Sequence, residues 1–188
     1  MTYTLTKLPI ERRAIKHRIN ELGGEIAGFY SRNIPKVDDD GLIILTVLKG
    51  AMIFAADLIR ALYHYEIPLE LEFVGIKSYL GKTTVSNAPL RQYVTPERNL
   101  HGKHVLIVED IVDSGYTLKH LHNYLKSEHV VQSLTTCTLL NKVSRRTVDV
   151  PIEFTGFYIG DAFAIGYGLD YDERFRELGY IEDFQARD

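Results

Sequence analysis

The sequence is poor in the features that mark several large classes of protein. It has one cysteine, Cys137, among 188 residues, so neither an internal disulfide nor a cysteine-based zinc site can form. No apolar run approaches the roughly 20 residues that a membrane span requires. The first residues, MTYTLTKLPIERR, lack the apolar segment of a secretory signal peptide. We therefore expect a soluble cytoplasmic protein without a membrane partner.

A surplus of basic residues is missing as well. Lysine and arginine number 22 against 25 aspartates and glutamates, which gives a net charge of −3 with neutral histidines. Proteins that bind nucleic-acid phosphates usually carry a basic surplus or a long basic stripe. We therefore expect no nucleic-acid partner. The basic residues within 12–18 are interpreted as a solvated helix face or a subunit contact.

What the sequence does contain is an alternation of strands and helices. Apolar residues recur at helical spacing over residues 10–30, where Gly23 and Gly24 each weaken a helix by about 1 kcal/mol and allow a break. Strands are predicted at residues 42–48, 69–79, 104–110, 131–140 and 153–159, and helices at residues 51–64 and 115–126. The buried β-branched runs and short spacings predict an α/β fold, with a doubly wound, mostly parallel central sheet flanked by helices.

Two parts of the chain fall outside this alternation. Residues 81–102 are polar and rich in turn-forming residues, which is typical of an antiparallel excursion or of a mobile loop over a site. The C-terminal part is rich in aromatic residues and glycine, which favours a small cap.

The most informative segment is HVLIVEDIVDSGYTLKHL, residues 104–121. Glu109 and Asp110 fall at the end of a buried strand, where open α/β sheets bind their ligands. The turn from Asp113 to Thr117 leads into a helix, so its backbone N–H groups and hydroxyls form an anion site. Carboxylates repel phosphate, and Glu109 and Asp110 are instead suited to sugar hydroxyls or Mg²⁺. The segment therefore predicts a site for a ribose that bears a phosphate.

Each part of this pattern also has an ordinary interpretation. Asp-Ser-Gly-x-Thr can be a simple helix N-cap, and two acids at a strand end can be solvated. The nucleotide-binding motifs GxxxxGK[ST] and GxGxxG do not occur, and Gly166-Tyr167-Gly168 lacks the third glycine. The complete pattern, with four aliphatic residues, two acids, two aliphatic residues and Asp-Ser-Gly-x-Thr, resembles the phosphoribosyl pyrophosphate signature of the type I phosphoribosyltransferases.

Three further segments resemble the hypoxanthine-guanine branch of that family. Leu48-Lys49-Gly50-Ala51 resembles its pyrophosphate-binding loop, which implies a non-proline cis peptide bond at Leu48–Lys49. Lys77-Ser78-Tyr79 resembles the start of its flexible loop, so Ser78 and Tyr79 are expected there. Lys142 and residues 161–178 resemble its purine-binding region. The resemblance implies one phosphoribosyltransferase domain over residues 1–188, with a core at about residues 35–150 and a hood formed by the N-terminal segment and about residues 151–188.

The resemblance also implies a role for each candidate site residue. Those expected to bind phosphoribosyl pyrophosphate are Lys49, Gly50, Glu109, Asp110, Asp113, Ser114, Gly115, Tyr116, Thr117 and Arg176. Those expected to bind the purine are Lys142 (at O6), Phe163 (by stacking), Ala164 and Asp170. Asp113 is the expected general base near purine N7, and Mg²⁺ is the expected cofactor, with Glu109, Asp110 and Asp170 near it.

The implied activity is purine salvage, in which hypoxanthine or guanine reacts with phosphoribosyl pyrophosphate to give IMP or GMP and pyrophosphate. The implied assembly is a homodimer or homotetramer. Two alternatives stay open: a transferase that prefers xanthine, and a non-catalytic, RNA-binding regulator of the same fold that senses phosphoribosyl compounds. Asp172 and Glu173 are interpreted as acids of a helix N-terminus without a role at the site.

Overall fold

The computed structural model describes residues 3–34, 41–78 and 90–185. Its main elements are, in chain order, α1 (Arg12–Asn33), β1 (Leu42–Leu48), α2 (Met52–Leu62), β2 (Leu69–Ser78), β3 (Leu90–Val94), β4 (His104–Val112), α3 (Tyr116–Tyr124), β5 (Ser133–Asn141), β6 (Phe154–Tyr158), β7 (Ala164–Ile165) and β8 (Glu182–Asp183). Short turns of 3₁₀ helix follow α2 and β5, and a π turn follows α3. Within the described ranges, no helix combines the length and apolar character that spanning a bilayer needs.

The central sheet has the strand order β3-β2-β1-β4-β5-β6. Strand β3 is antiparallel to β2, and the other neighbouring pairs are parallel. The predicted doubly wound, mostly parallel sheet is therefore confirmed. From β1 the chain passes first to β2 on one side and later to β4 on the other. The crevice between the carboxyl ends of β1 and β4 is thus the switch point at which such sheets bind ligands.

Strand β1 is buried because helices cover both faces of the sheet. Leu42 and Ile44 pack with α1 and α2 on one face, whereas Ile43 and Leu45 pack with α3 on the other. A run of apolar residues without alternation is what a parallel strand between two helical layers requires. The predicted strand at residues 42–48 has these bounds in the structure.

Helix α1 continues through Gly23 and Gly24 without the break that these glycines allow. Gly23 is buried against α2, where a β-carbon in its place would lie 3.2 Å from the Ala61 Cβ. The glycine therefore lets the two helices approach closely, and the burial of the apolar side of α1 outweighs its low helix propensity.

Pairing with a neighbouring strand extends one predicted strand and decides part of the open interpretation of residues 81–102. Strand β4 continues past Asp110 to Val112, because Ile111 and Val112 pair with Leu140 and Asn141 of β5. Part of the polar stretch at residues 81–102 forms β3, so it includes an antiparallel excursion. The remaining possibility, a mobile loop, concerns residues 79–89, which lie outside the described residues.

A segment near the start of the chain pairs with one near its end. Ile10 and Ile181 exchange backbone hydrogen bonds of 2.7 and 3.0 Å, and β7 pairs with β8 in a separate two-stranded sheet. This contact places the N-terminal segment next to residue 181, shortly after the predicted purine-binding stretch at residues 161–178. The division of the chain into a core and a hood stays a prediction.

Candidate active site

The turn between β1 and α2 lies against the acidic end of β4. The Leu48–Lys49 peptide bond is cis, as the resemblance implies. A β-carbon at Gly50 would lie 1.6 Å from the Asp110 Oδ2, far closer than two non-bonded atoms can approach. A β-carbon at Gly168 would lie 2.1 Å from the Gly50 carbonyl oxygen. Three segments that are distant in sequence therefore meet at Gly50.

Glu109 and Asp110 form a carboxylate pair at the end of β4. Glu109 is 7% exposed, and its Oε2 has no hydrogen-bond partner among the described residues. Asp110 Oδ1 accepts a hydrogen bond of 2.8 Å from the backbone N–H of Ile111. Burial raises the pKa of Glu109 well above its ordinary value, with repulsion from Asp110 adding to the rise, and burial also raises the pKa of Asp110. A buried carboxylate oxygen without a partner is suited to a hydroxyl donor or a hard cation.

The loop from Asp113 to Thr117 turns the chain into α3. Gly115 precedes the helix with a φ of 90°, in the left-handed region that favours glycine. The Ser114 carbonyl accepts hydrogen bonds of 3.1 and 3.2 Å from the backbone N–H groups of Thr147 and Val148, which hold the loop from behind. The first N–H groups of α3 have no partner within the helix. The loop therefore forms a backbone cradle for an anion.

Asp113 lies between two cationic side chains that follow β5. Arg145 Nε donates a hydrogen bond of 3.2 Å to Asp113 Oδ1, and Lys142 Nζ lies 3.8 Å from Asp113 Oδ2. Arg146 Nε donates to the Asp113 carbonyl at 3.1 Å, and its other end donates to Asn141 Oδ1 at 2.6 Å. Asp113 is thus fixed at both its backbone and its carboxylate.

Lys142 is buried, with 7% exposure, directly after β5. Its backbone N–H donates to the Val112 carbonyl at 3.0 Å, which places it beside the end of β4. A lysine buried beside a partly exposed carboxylate is an unusual arrangement for a protein surface, because the desolvated ammonium group needs acceptors. An acceptor on a ligand above Asp113 and Lys142 would supply one.

The predicted stacking residue, Phe163, lies on the segment directly before β7. A hydrogen bond of 2.9 Å from the Phe163 backbone N–H to Asp183 Oδ1 fixes the backbone at this residue. Its ring meets Tyr171 edge-on at 5.8 Å, and Tyr171 stacks on Phe184 at 4.1 Å. Phe163 is nevertheless 51% exposed. A supported, exposed ring of this kind is available for stacking with a flat ligand.

Arg176 connects the purine-binding stretch with the turn after β1. Its guanidinium donates to the Gly168 carbonyl at 2.7 Å and pairs with Asp170 Oδ1 at 2.7 Å. It also donates to Glu173 Oε2 at 3.1 Å, an atom that accepts a second hydrogen bond of 3.0 Å from Lys49 Nζ. These bonds lower the pKa of Glu173, that from Lys49 most. Glu173 therefore bridges two expected phosphoribosyl pyrophosphate residues.

The fold and this arrangement can now be compared with known proteins. A family model described as the phosphoribosyl transferase domain matches residues 11–172. The chain belongs to the phosphoribosyl transferase family. The hypoxanthine phosphoribosyltransferase of Haemophilus influenzae is 42% identical over 172 residues, which cover 92% of this chain and 91% of that protein. The hypoxanthine-guanine phosphoribosyltransferase of Mycobacterium avium is 44% identical over 173 residues, covering 92% of this chain and 82% of that protein.

Solved structures give the same family. The structure of a hypoxanthine phosphoribosyl transferase from Trypanosoma cruzi matches with a TM-score of 0.86 and 35% identity, covering 98% of this chain and 94% of that one. A hypoxanthine phosphoribosyltransferase structure from Staphylococcus aureus matches with a TM-score of 0.83 and 32% identity, covering 96% of this chain and 91% of that one. The type I phosphoribosyltransferase fold expected from the sequence is confirmed.

The structure brings most residues expected for this phosphoribosyltransferase site to one edge of the sheet. The turn with Lys49 and Gly50 follows β1, the acid pair lies near the end of β4, the Asp113 loop follows β4, and Lys142 follows β5. Ser78 ends β2, whereas Tyr79 lies outside the described residues. The carboxylate of Asp170 pairs with Arg176, and the described residues contain no group of three acidic, histidine or cysteine side chains placed to hold a metal ion. The role of each site residue stays a prediction.

Sequence reasoning missed three charged residues. The segment from residue 170 to residue 176 forms turns rather than a helix, with φ values of 52° at Asp172 and 63° at Glu173, so the helix N-terminus expected there was wrong. Glu173 instead contacts Lys49 and Arg176. Arg145 and Arg146 contact Asp113. Arg145 and Arg146 come shortly after a parallel strand, at the edge of the sheet where the other site residues lie. This position was the signal from which their contact with the site could have been predicted.

Proposed function

We propose that this chain transfers the 5-phosphoribosyl group of phosphoribosyl pyrophosphate to hypoxanthine or guanine, forming IMP or GMP and releasing pyrophosphate. The observation that carries the proposal is the meeting of a glycine turn, a carboxylate pair and a helix N-terminus at the carboxyl ends of the neighbouring strands β1 and β4. The names of the H. influenzae and M. avium relatives support it.

The reaction breaks the bond between ribose C1 and the pyrophosphate oxygen, and the electron pair leaves with pyrophosphate. Purine N9 forms the new bond to C1. Positive charge builds on the ribose ring and negative charge on pyrophosphate, so catalysis is mainly positional and electrostatic. Backbone N–H groups at Lys49 and Gly50, together with Arg176, are suited to the pyrophosphate. The backbone cradle at Ser114–Thr117 is suited to the 5′-phosphate.

The carboxylate pair is suited to the ribose hydroxyls and to magnesium. Oε2 of Glu109 is free to accept a hydrogen bond or to contact a hard cation, and carboxylate oxygens are preferred ligands of Mg²⁺. When bound, Mg²⁺ neutralises charge on the departing pyrophosphate. Glu109 and Asp110, at the end of β4, would hold the metal. Asp170, which is paired with Arg176, is expected to act on the metal through water.

Lys142 and Phe163 are suited to the purine. The ammonium group of Lys142 would donate to the O6 of a 6-oxopurine, while Phe163 stacks on the ring. A 6-amino group offers donors where Lys142 needs an acceptor, so adenine would not supply the acceptor that a 6-oxopurine gives this buried cation. Asp113 would take the proton from purine N7 as N9 bonds to C1.

A coupled assay with phosphoribosyl pyrophosphate and Mg²⁺ tests the proposal on hypoxanthine, guanine, xanthine and adenine with one preparation. We expect nucleotide from hypoxanthine and guanine and none above background from adenine. No nucleotide from either 6-oxopurine would overturn the proposal. A higher kcat/KM for xanthine would favour the xanthine-preferring alternative, and salt-dependent retention of RNA on a filter without turnover would favour the regulator.

The proposed base has a separate test. Asp113→Asn keeps the size of the side chain but cannot take a proton, so we expect kcat to fall about 100-fold, within the usual range for general-base catalysis. Binding of phosphoribosyl pyrophosphate, measured by calorimetry, is expected to stay within about twofold. Unchanged turnover with lost binding would show that Asp113 serves the substrate rather than the proton transfer.

The assembly and the cytoplasmic location stay predictions. Exposed apolar side chains support contact between subunits: Tyr63 is 79% exposed and Leu71 44%, and both line one cavity between α2 and β2. Sedimentation of the purified chain would distinguish a homodimer from a homotetramer.

A further inference from the structure

A second cavity lies between α1 and α2, away from the carboxyl ends of β1 and β4. Its volume is about 350 Å³, within the usual range for small-molecule sites. The side chains at its rim are basic: Arg12 and Lys16 on α1, Arg60 on α2, and His64 just after α2. The proposed transfer reaction uses none of these residues.

The positive charge at this rim is only partly neutralised. Among the residues that the structure describes, Arg12 and Lys16 form no ion pair. The carboxylate in the cavity wall is Asp57, and both of its oxygens are engaged. Oδ1 accepts a hydrogen bond of 2.9 Å from Arg60, and Oδ2 accepts one from the Tyr167 hydroxyl. Arg12 and Lys16 are therefore available to a ligand.

Tyr167 lines the cavity and is buried, with 6% exposure. Burial raises the pKa of Tyr167, the hydrogen bond to Asp57 adds to the rise, and the charges of Arg12 and Arg60 oppose it. The hydroxyl therefore stays neutral and donates a hydrogen bond to Asp57 Oδ2. Arg12, Arg60 and Tyr167 all line the cavity.

The floor of the cavity is apolar. Ile19 is 2% exposed, Ala61 7% and Tyr167 6%, whereas Arg12, Lys16 and Arg60 are exposed. A bare inorganic anion would use the rim but leave the floor uncovered. An anion that carries a flat organic group would use both, because the cations would contact the charge and the floor would contact the apolar part.

We propose that the cavity between α1 and α2 binds a small organic phosphate, with its phosphate at Arg12 and Lys16 and its organic part over Ile19, Ala61 and Tyr167. The site is separate from the reacting centre but shares a chain segment with it. Tyr167 forms the cavity wall, and the next residue, Gly168, packs against the Gly50 carbonyl. Two consecutive residues, Tyr167 and Gly168, therefore connect the cavity with the turn that carries Lys49.

The test uses 4-bromophenyl phosphate, whose bromine can be located by anomalous scattering in soaked crystals. We expect a bromine peak over Ile19 and Ala61. Binding at the 5′-phosphate cradle would instead place the bromine near Ser114–Thr117. A peak at the cradle alone, or none at the cavity, would overturn the proposal, and this outcome does not depend on whether the chain has transferase activity.

Calorimetric titration with the same compound supplies the second measurement. Arg12→Glu/Lys16→Glu is expected to remove the binding event at the cavity, and the milder Arg12→Gln/Lys16→Gln to weaken it at least fivefold if the first variant fails to fold. The matched control is Arg13→Glu/Arg32→Glu, which makes the same change in charge on α1 outside the cavity. Equal titration curves for the control and the test variants would contradict the proposal.

Discussion

The two halves of the candidate site, one at the ends of β1 and β4 and the other after β6, differ in burial and in the interactions that hold them. The half at the ends of β1 and β4 rests on buried strands, backbone N–H groups and two desolvated carboxylates. The half that follows β6 contains turns and exposed side chains, among them Phe163 and Glu173, which are held by hydrogen bonds and ion pairs. Charge pairs at a surface are screened by water and salt, whereas steric contacts in a buried turn are not. The first half should therefore be sensitive to shape, and the second to charge and salt.

The largest effect is expected from adding one methyl group to the buried half. Gly50→Ala would place its β-carbon on the Asp110 carboxylate, so either the turn or the carboxylate must move by more than 1 Å. Because displacements of this size can cost 100-fold in rate, we expect kcat/KM for phosphoribosyl pyrophosphate to fall at least about 100-fold.

The matched control is Gly160→Ala, where a β-carbon would meet nothing within 4 Å. It is expected to change kcat/KM by less than about twofold, since surface substitutions of this kind are close to neutral. Comparable losses in both variants would mean that the buried half is no more sensitive to shape than the surface.

A second large effect should separate function from stability. Glu109→Gln removes a charge that we propose binds the substrate hydroxyls or a cation. We expect the affinity for phosphoribosyl pyrophosphate to fall about 10- to 100-fold, as for the loss of a charged hydrogen bond. The same variant should unfold at a higher temperature at pH 8. The raised pKa of Glu109 means that the folded state binds its proton more tightly than the unfolded state does.

The sign of this effect follows from proton linkage. Where the folded state binds more protons, stability falls as pH rises, from the unfolded pKa to the raised folded pKa. The gain from Glu109→Gln should therefore be small near pH 4 and reach a few degrees at pH 8, measured by thermal unfolding at both pH values. A gain that is equal at both pH values would exclude ionisation as its cause.

A moderate effect is expected in the exposed half. Phe163→Leu keeps an apolar side chain but removes the flat ring, so the KM for hypoxanthine should rise about tenfold, the equivalent of one aromatic stacking contact. The KM for phosphoribosyl pyrophosphate should stay within about twofold. An equal rise in both constants would show that the two halves are not independent.

The smallest effect is expected at the bridge between the halves. Glu173→Gln breaks the ion pairs with Lys49 and Arg176, all of them partly exposed. We expect less than about a threefold change in kcat/KM at 150 mM salt and a larger change at 10 mM salt, where screening is weak. An effect that did not depend on salt would contradict the expectation that charge holds the exposed half together.

The same contrast explains what could be predicted from the sequence. Strand β1 and the segment from Glu109 to Thr117 are local: their burial, acids and turn residues are consecutive in the chain. The continuity of α1 could not be predicted, because it depends on Ala61 packing against Gly23. Nor could the position of Glu173, whose positive φ and two partners depend on residues from other parts of the chain. The residues expected to bind the purine, in the half after β6, could be named only from the family resemblance, because they form no distinctive local pattern.

The contact between Gly50 and Gly168 bears on how such enzymes diversify. The two halves meet there through backbone atoms, since a β-carbon at Gly168 would lie 2.1 Å from the Gly50 carbonyl oxygen. Side-chain mutations elsewhere in the purine half can therefore accumulate without altering this contact. A lineage of enzymes could change its preferred base while retaining the same contact with the shared phosphoribosyl donor, and directed evolution of base preference should leave both glycines unchanged.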